Sequence, residues 1–128
     1  MTDAALTLQG AIYTALSASP APCDVYDVVP QKAAYPHIEI AGGWVRDWSA
    51  ALMRGEEHTV EIHVWSRTAG FTEARTLMAA VKDRLHEVTL TLTGAGLVDI
   101  RYDTADLFTD ADGETRHGIV RFIANTTI

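Results

Sequence analysis

The sequence predicts an α+β fold: an antiparallel sheet with two helices packed on one face and a long C-terminal β-hairpin. Three observations carry this. Two stretches, 3–18 and 71–88, place apolar residues at helical spacing. Residues His58 to Ser66 alternate between apolar and polar, the period of a strand with one buried face. Two long alternating stretches flank Asp112-Gly113, a pair that accepts the positive φ of a tight hairpin turn. With 128 residues, 48% hydrophobic and 21% charged, residues 1–128 are expected to form a single domain. A chain of this size can bury roughly two thirds of its unfolded surface, enough for a core without staples.

Taken in order, the first helix carries Ala5, Leu8, Ile12 and Leu16 as its apolar stripe. Thr2 or Asp3 caps it, because a short side-chain oxygen accepts from the free first-turn amides. Ser19-Pro20-Ala21-Pro22 ends it, since proline lacks the amide. Residues 23–34 form a short strand or loop around Val25, Val28 and Val29. Tyr35 to Ile40 reads as a strand with Pro36 at an edge or first-strand position. Gly42 and Gly43 break it, and 44–57 is expected to be irregular. In the next strand His58, Val60, Ile62 and Val64 face one way and Thr59, Glu61, His63 and Trp65 the other. The second helix buries Ala74, Leu77, Met78, Val81, Leu85 and Val88 and leaves Glu73, Arg75, Lys82, Asp83 and Arg84 in water. Leu90 and Leu92 read as a short strand and Gly94 and Gly96 as a turn. Leu97 to Thr109 and Thr115 to Thr126 are the hairpin strands, with Val98, Ile100 and Tyr102 facing Val120, Phe122 and Ala124.

The formal charge is −7, which disfavours sequence-specific nucleic-acid binding, a task for basic surfaces. The acid is concentrated. From Leu97 to Arg116 there are Asp99, Asp103, Asp106, Asp110, Asp112 and Glu114 against Arg101 and Arg116, a net −4 in twenty residues. The apolar runs fall short of the ~18 residues that cross a bilayer, so no membrane partner is expected. A basic start followed by an apolar stretch is missing, so no signal peptide is expected. Cys23 is the only cysteine, which leaves neither an internal disulfide nor a thiolate zinc cage.

Candidate chemistry is sparse. Glu61 with His63, and His37 with Glu39, share strand faces, but these are pairs and a metal site needs three or four ligands. Asp110-Ala-Asp112-Gly113-Glu114 resembles a calcium loop only in part, because its first ligand position would be Phe108. The nucleophile-elbow spacing Gly-x-Ser-x-Gly is absent. Cys23 sits between Pro22 and Asp24, and an adjacent acid raises a thiol pKa. Gly42-Gly43 and Gly94-Ala-Gly96 read as turns. No catalytic, cofactor-binding or metal residue is assigned, and no cofactor is expected. Trp44, Trp48 and Trp65 lie outside the core pattern, as interface residues or as residues packing a loop onto the domain. Hairpin strands of about twelve residues exceed the usual five or six, and such an edge needs a partner or charged blunting.

The order of the short motifs carries a resemblance. Tyr-Pro-x-Ile starts at Tyr35, Val-Trp-Ser spans Val64 to Ser66, Gly-Phe-x-x-Ala spans Gly70 to Ala74, and Asp-x-Asp-Gly-x-x-x-His-Gly runs from Asp110 to Gly118. This arrangement, covering nearly the whole chain, resembles the tail completion or tail terminator family of long-tailed bacteriophages, prophages and gene transfer agents. The resemblance implies a structural virion protein and not an enzyme, assembled in the bacterial cytoplasm into the tail or neck. It implies a homohexameric ring that caps the head-proximal end of the tail tube and ends tube polymerisation. Its partners would be further copies of itself, the major tail tube protein and the head–tail connector or stopper protein. DNA would pass through the lumen without specific binding. The interface candidates are Trp44, Arg46, Trp48, Arg54, Trp65, Asp110, Asp112, Glu114 and Arg116. A head-side neck adaptor is the alternative, and a small metal-dependent enzyme using Glu61, His63 and His37 is a lesser one.

Overall fold

A computed structural model describes residues 3–127. Helix α1 spans Ala4–Ser17. Asp3 caps it, its Oδ1 accepting from the Ala5 amide at 3.3 Å; Thr2, the other expected cap, lies outside the described residues. Ala4, Leu8, Ile12 and Leu16 form the buried stripe, so the first position is Ala4 and not Ala5. Helix α2 spans Thr72–Leu85, shorter than the expected 71–88. It stops where His86 turns extended and Glu87 takes a positive φ of 56°. Val88, beyond the helix, still packs against the core. Two residues of α2 expected in water are otherwise engaged. Glu73 accepts from the Ser66 hydroxyl at 2.7 Å. Arg84 donates to the carbonyls of Ala15, Leu16 and Ala18. Those carbonyls at the end of α1 have no helical partner, and the guanidinium supplies one.

The strands are β1 (Asp24–Tyr26), β2 (His37–Ala41), β3 (Val45–Asp47), β4 (Gly55–Ser66), β5 (Gly96–Thr109) and β6 (Arg116–Thr127). They form one sheet in the order β1-β2-β4-β6-β5, with β3 pairing the early residues of β4. All pairs are antiparallel except β1 with β2. The fold class is therefore α+β with a mostly antiparallel sheet. Pro36 lies just before β2, where a missing donor breaks no ladder bond.

Segment 44–57 is ordered, contrary to the expectation of an irregular stretch. β4 begins at Gly55, three residues before His58, and pairs with β3 in the register Val45↔His58 to Asp47↔Glu56. Ala50 and Met53 exchange backbone hydrogen bonds at 2.9 and 3.1 Å across a two-residue tip, Ala51-Leu52. Gly43 is required at the entry, because a Cβ there would run into the Thr59 carbonyl. Leu90 and Leu92 form no strand; Leu92 joins the buried core from a loop.

In the long hairpin, register shifts at Val98 and Asp103 change the expected pairing. Ile100 opposes Ala124 and Tyr102 opposes Phe122, but Val120 opposes Ala105 and Val98 turns out to solvent. The turn is built by Asp112. Its Oδ1 accepts from the Glu114 and Thr115 amides, both at 2.8 Å, and its Oδ2 from the Thr115 hydroxyl at 2.6 Å, with Gly113 at φ 70°. The core lies between the helices and one sheet face: Leu8, Ile12, Leu16, Leu77, Val81 and Leu85 meet Ile38, Ile62, Val64, Ile100, Val120 and Phe122.

Candidate functional site: an open sheet face between two unlike ends

The sheet face away from the helices presents Glu61, His63 and Trp65 of β4 beside His117 and Arg121 of β6. Register aligns His37, Trp65, His117 and Phe108 in one row across four strands. Trp65 stacks on His117 with centroids 3.7 Å apart and planes 15° apart. Phe108 lies 5.0 Å from His117 on the other side. His37 is 6.4 Å from Trp65, and Tyr35 and Tyr26 pack around it. The Trp65 indole donates to Glu39 at 3.3 Å.

Beside that row runs a hydrogen-bonded chain. Glu61 Oε1 lies 3.1 Å from His63 Nε2, and His63 Nδ1 lies 2.8 Å from His117 Nε2. Arg121 donates from Nε to Glu61 at 3.1 Å and from a terminal nitrogen to Asp106 at 2.8 Å. The hydrogen bonds from His63 and Arg121 hold the Glu61 carboxyl below its ordinary pKa, while those to Asp106 and Glu61 push Arg121 up. Burial, then the neighbouring His63, pushes His117 down.

This arrangement corrects the metal reading. His37 lies diagonally across β2–β4 from His63 with its ring toward Trp65, and its Nδ1 donates to the Ala34 carbonyl at 3.0 Å. Among the described residues no three His, Cys, Asp or Glu side chains are placed to hold a metal ion. The true neighbour of His63 is His117, fifty-four positions away. Only the β4–β6 register could have revealed it. Cys23 is half-buried, and burial followed by Asp24 pushes its thiol up to about 11, far from a thiolate nucleophile.

The interface candidates fall into two groups. Trp44, Arg46, Trp48 and Arg54 belong to the β3–β4 hairpin, near the end where Gly55 pairs with Thr127. Arg46 pairs with Glu57 at 2.9 Å, while Trp44 is 57% exposed. The individually named candidates leave out the tip of this segment, where Leu52 is fully exposed and Met53 partly so. Its only signal was the apolar run Ala50-Ala51-Leu52-Met53. Asp110, Asp112, Glu114 and Arg116 lie at the opposite end, where Ser66 pairs with Arg116. At ~3.4 Å per residue, the twelve-residue β4 separates the two ends by roughly 37 Å. Asp112 is absorbed by the turn, and its hydrogen bonds with Thr115 and Glu114 hold its carboxyl down at about 2. Arg116 donates to the Glu114 carbonyl at 3.0 Å. Trp65, one residue before Ser66, lies at this same end, where its ring packs in the aromatic row.

A cavity of about 130 Å³ beneath α1 has apolar walls from Leu8, Ile12, Ile40 and Val60. The one imidazole there, His58, is engaged with the Thr126 hydroxyl at 2.9 Å. Among the described residues no helix is long and apolar enough to cross a membrane.

Comparison with known proteins agrees with this geometry. A chain in the virion of a native gene transfer agent particle superposes with a TM-score of 0.91 over 100% of both chains, at 27% identity. Tail completion protein gp17 of Bacillus phage SPP1 is 32% identical over 93 residues, which cover 71% of this chain and 69% of that protein. The family model described as tail completion protein gp17 matches residues 10–127. With nearly the full length matched in sequence and in fold, the chain belongs to the tail completion protein gp17 family.

Proposed function

We propose that residues 1–128 act as one structural domain of a virion, a tail terminator at the neck of a phage-like tail and not an enzyme. The observation that carries this reading is the end-to-end likeness to a chain of a gene transfer agent virion. In this reading six copies close into a ring on the head-proximal end of the tail tube. One face of the ring matches the last tube subunits and the other refuses further tube protein and receives the connector or stopper protein. A head-to-tail interface that closes by rotation gives such a ring.

Two features support it. The chain has two chemically unlike ends, an apolar hairpin tip with Trp44, Trp48 and Leu52 and an acidic turn with Asp110 and Glu114, as a two-sided adaptor needs. Exposed apolar tips of this kind mark protein contacts. The net charge of −7 lets DNA slide through a lumen, since each phosphate-neutralising cation would add affinity. Assembly takes place in the bacterial cytoplasm, where the partner proteins are made.

Native mass spectrometry at micromolar concentrations, with negative-stain images, tests the ring: six chains of 13.9 kDa in one closed particle are expected. Deletion of the gene tests the role. Tails of uncontrolled length that fail to join heads are expected, and tails of fixed length joined normally to heads would overturn the reading.

A further inference from the structure

We propose that His63 and His117 form a proton relay on the open sheet face, and that uptake of one proton by this pair latches the hairpin turn to the sheet through Asp110. The hydrogen-bond chain dictates the tautomers. Glu61 is a carboxylate that also receives Arg121, so it can only accept, and His63 Nε2, 3.1 Å away, must carry hydrogen. A neutral His63 then has a bare Nδ1. His117 Nε2, 2.8 Å from it, must be the donor. A neutral His117 is therefore bare at Nδ1, and that atom faces Asp110 Oδ1 at 3.6 Å, too far for a hydrogen bond. The next proton from solvent has one vacant nitrogen in the chain, His117 Nδ1. Adding it turns a bare nitrogen facing a carboxylate into an imidazolium N–H facing a carboxylate, and the 3.6 Å gap closes to a charge-assisted bond. No other bond need break.

The surroundings shape this step from every side. β2 contributes His37 and Glu39, β4 contributes Glu61, β5 contributes Asp106, the turn contributes Asp110 and β6 contributes Arg121. Burial opposes protonation of His117, while Asp110 and Glu39 favour it, and burial prevails, so the latch closes on the acidic side of the ordinary histidine range. The stacked Trp65 ring offers the imidazolium a π face. What the latch steadies is the turn bearing Asp110, Asp112 and Glu114. This inference stands on the geometry of the isolated chain and does not depend on ring formation.

The test is ¹⁵N NMR of the imidazole rings of the full chain across pH, with the backbone amides of residues 110–115 followed in parallel. Both rings should show the Nε2–H tautomer at neutral pH, and the amides should move with the His117 midpoint. Asp110→Asn should lower that midpoint and remove the pH response of the turn. Asp110→Glu, which keeps the carboxylate, should restore both. Loss with the amide and recovery with the carboxylate are not expected of a residue that merely fills space. An Nδ1–H tautomer at His63, or a His117 midpoint indifferent to Asp110→Asn, overturns the relay. Stoichiometric zinc that perturbs both rings at neutral pH would also overturn it, in favour of a metal bridge.

Discussion

His58 shows how a single residue ties this fold to pH. It is buried against Thr126, and burial holds its pKa below the ordinary 6.5 despite Glu56 and Asp3 nearby. His117 is depressed as well. For both, the unfolded chain binds a proton more readily than the folded one. Their contribution is thus complete above pH 6.5 and is lost as pH falls through the lower folded value. Glu61 and Asp112 are depressed acids, and their contribution is lost only in a more acidic window, for Asp112 down to about 2. The thermal midpoint should therefore drop in two steps on acidification, the first beginning below pH 6.5. His58→Gln should lower the midpoint at pH 7.5 yet flatten that first step; melts followed by circular dichroism would show an unchanged slope if His58 had no part in it. Some of this was legible in the sequence. Asp3 as a cap and Asp112-Gly113 as a turn follow from local chemistry that neighbouring residues satisfy. The His63–His117 contact was not, because it depends on which residue of β6 lies opposite β4, and one register step would have sent His117 to the other face.

Elements are held together at places where periodicity is silent. The C-terminal turn of α1 is closed by a side chain from α2, since Arg84 donates to the carbonyls of Ala15, Leu16 and Ala18. Hydrogen bonds from a charged donor contribute more than neutral ones, so Arg84→Ala should cost about 2 kcal/mol in urea unfolding. Arg84→Lys should recover only part, because an ammonium lacks the fork that reaches several carbonyls at once. An Arg84→Ala variant as stable as the wild type would show that water replaces the guanidinium. Gly43 joins β2 to β3 with its Cα against the Thr59 carbonyl. Gly43→Ala should cost about 2–3 kcal/mol through backbone displacement, while Gly42→Ala, with open space at its Cβ, should be tolerated. Equal costs at the two glycines would remove the packing argument. The β3–β4 hairpin escaped sequence reading because its strand β3 has only three residues, all exposed, and thus no alternation to read. Leu92 was misread in the opposite sense: it is apolar because it is buried, and it is buried from a loop.

At the scale of the molecule, the fold class was legible because the two helical stripes and the alternation in β4 and β6 all record one core. The surface that would recognise partners leaves no such record. Leu52 protrudes fully from the hairpin tip and Trp44 is more than half exposed, so neither is accounted for by the interior of this chain. This separates stability from assembly and makes the proposed role testable by substitution. Leu52→Asp and Trp44→Ser should each leave unfolding free energy within about 0.5 kcal/mol of the wild type, as exposed substitutions usually do. Both should reduce the hexamer fraction or the joining of tails to heads, because a carboxylate or a lost ring at the centre of a contact costs far more than at a solvated surface. Glu114→Gln, at the other end of β4, tests the acidic turn by the same readouts. If it alters head joining while Leu52→Asp alters ring closure or tube capping, the two ends serve different partners. If Leu52→Asp particles close, cap and join as the wild type does, the apolar tip is not an interface and the two-ended argument loses its stronger half.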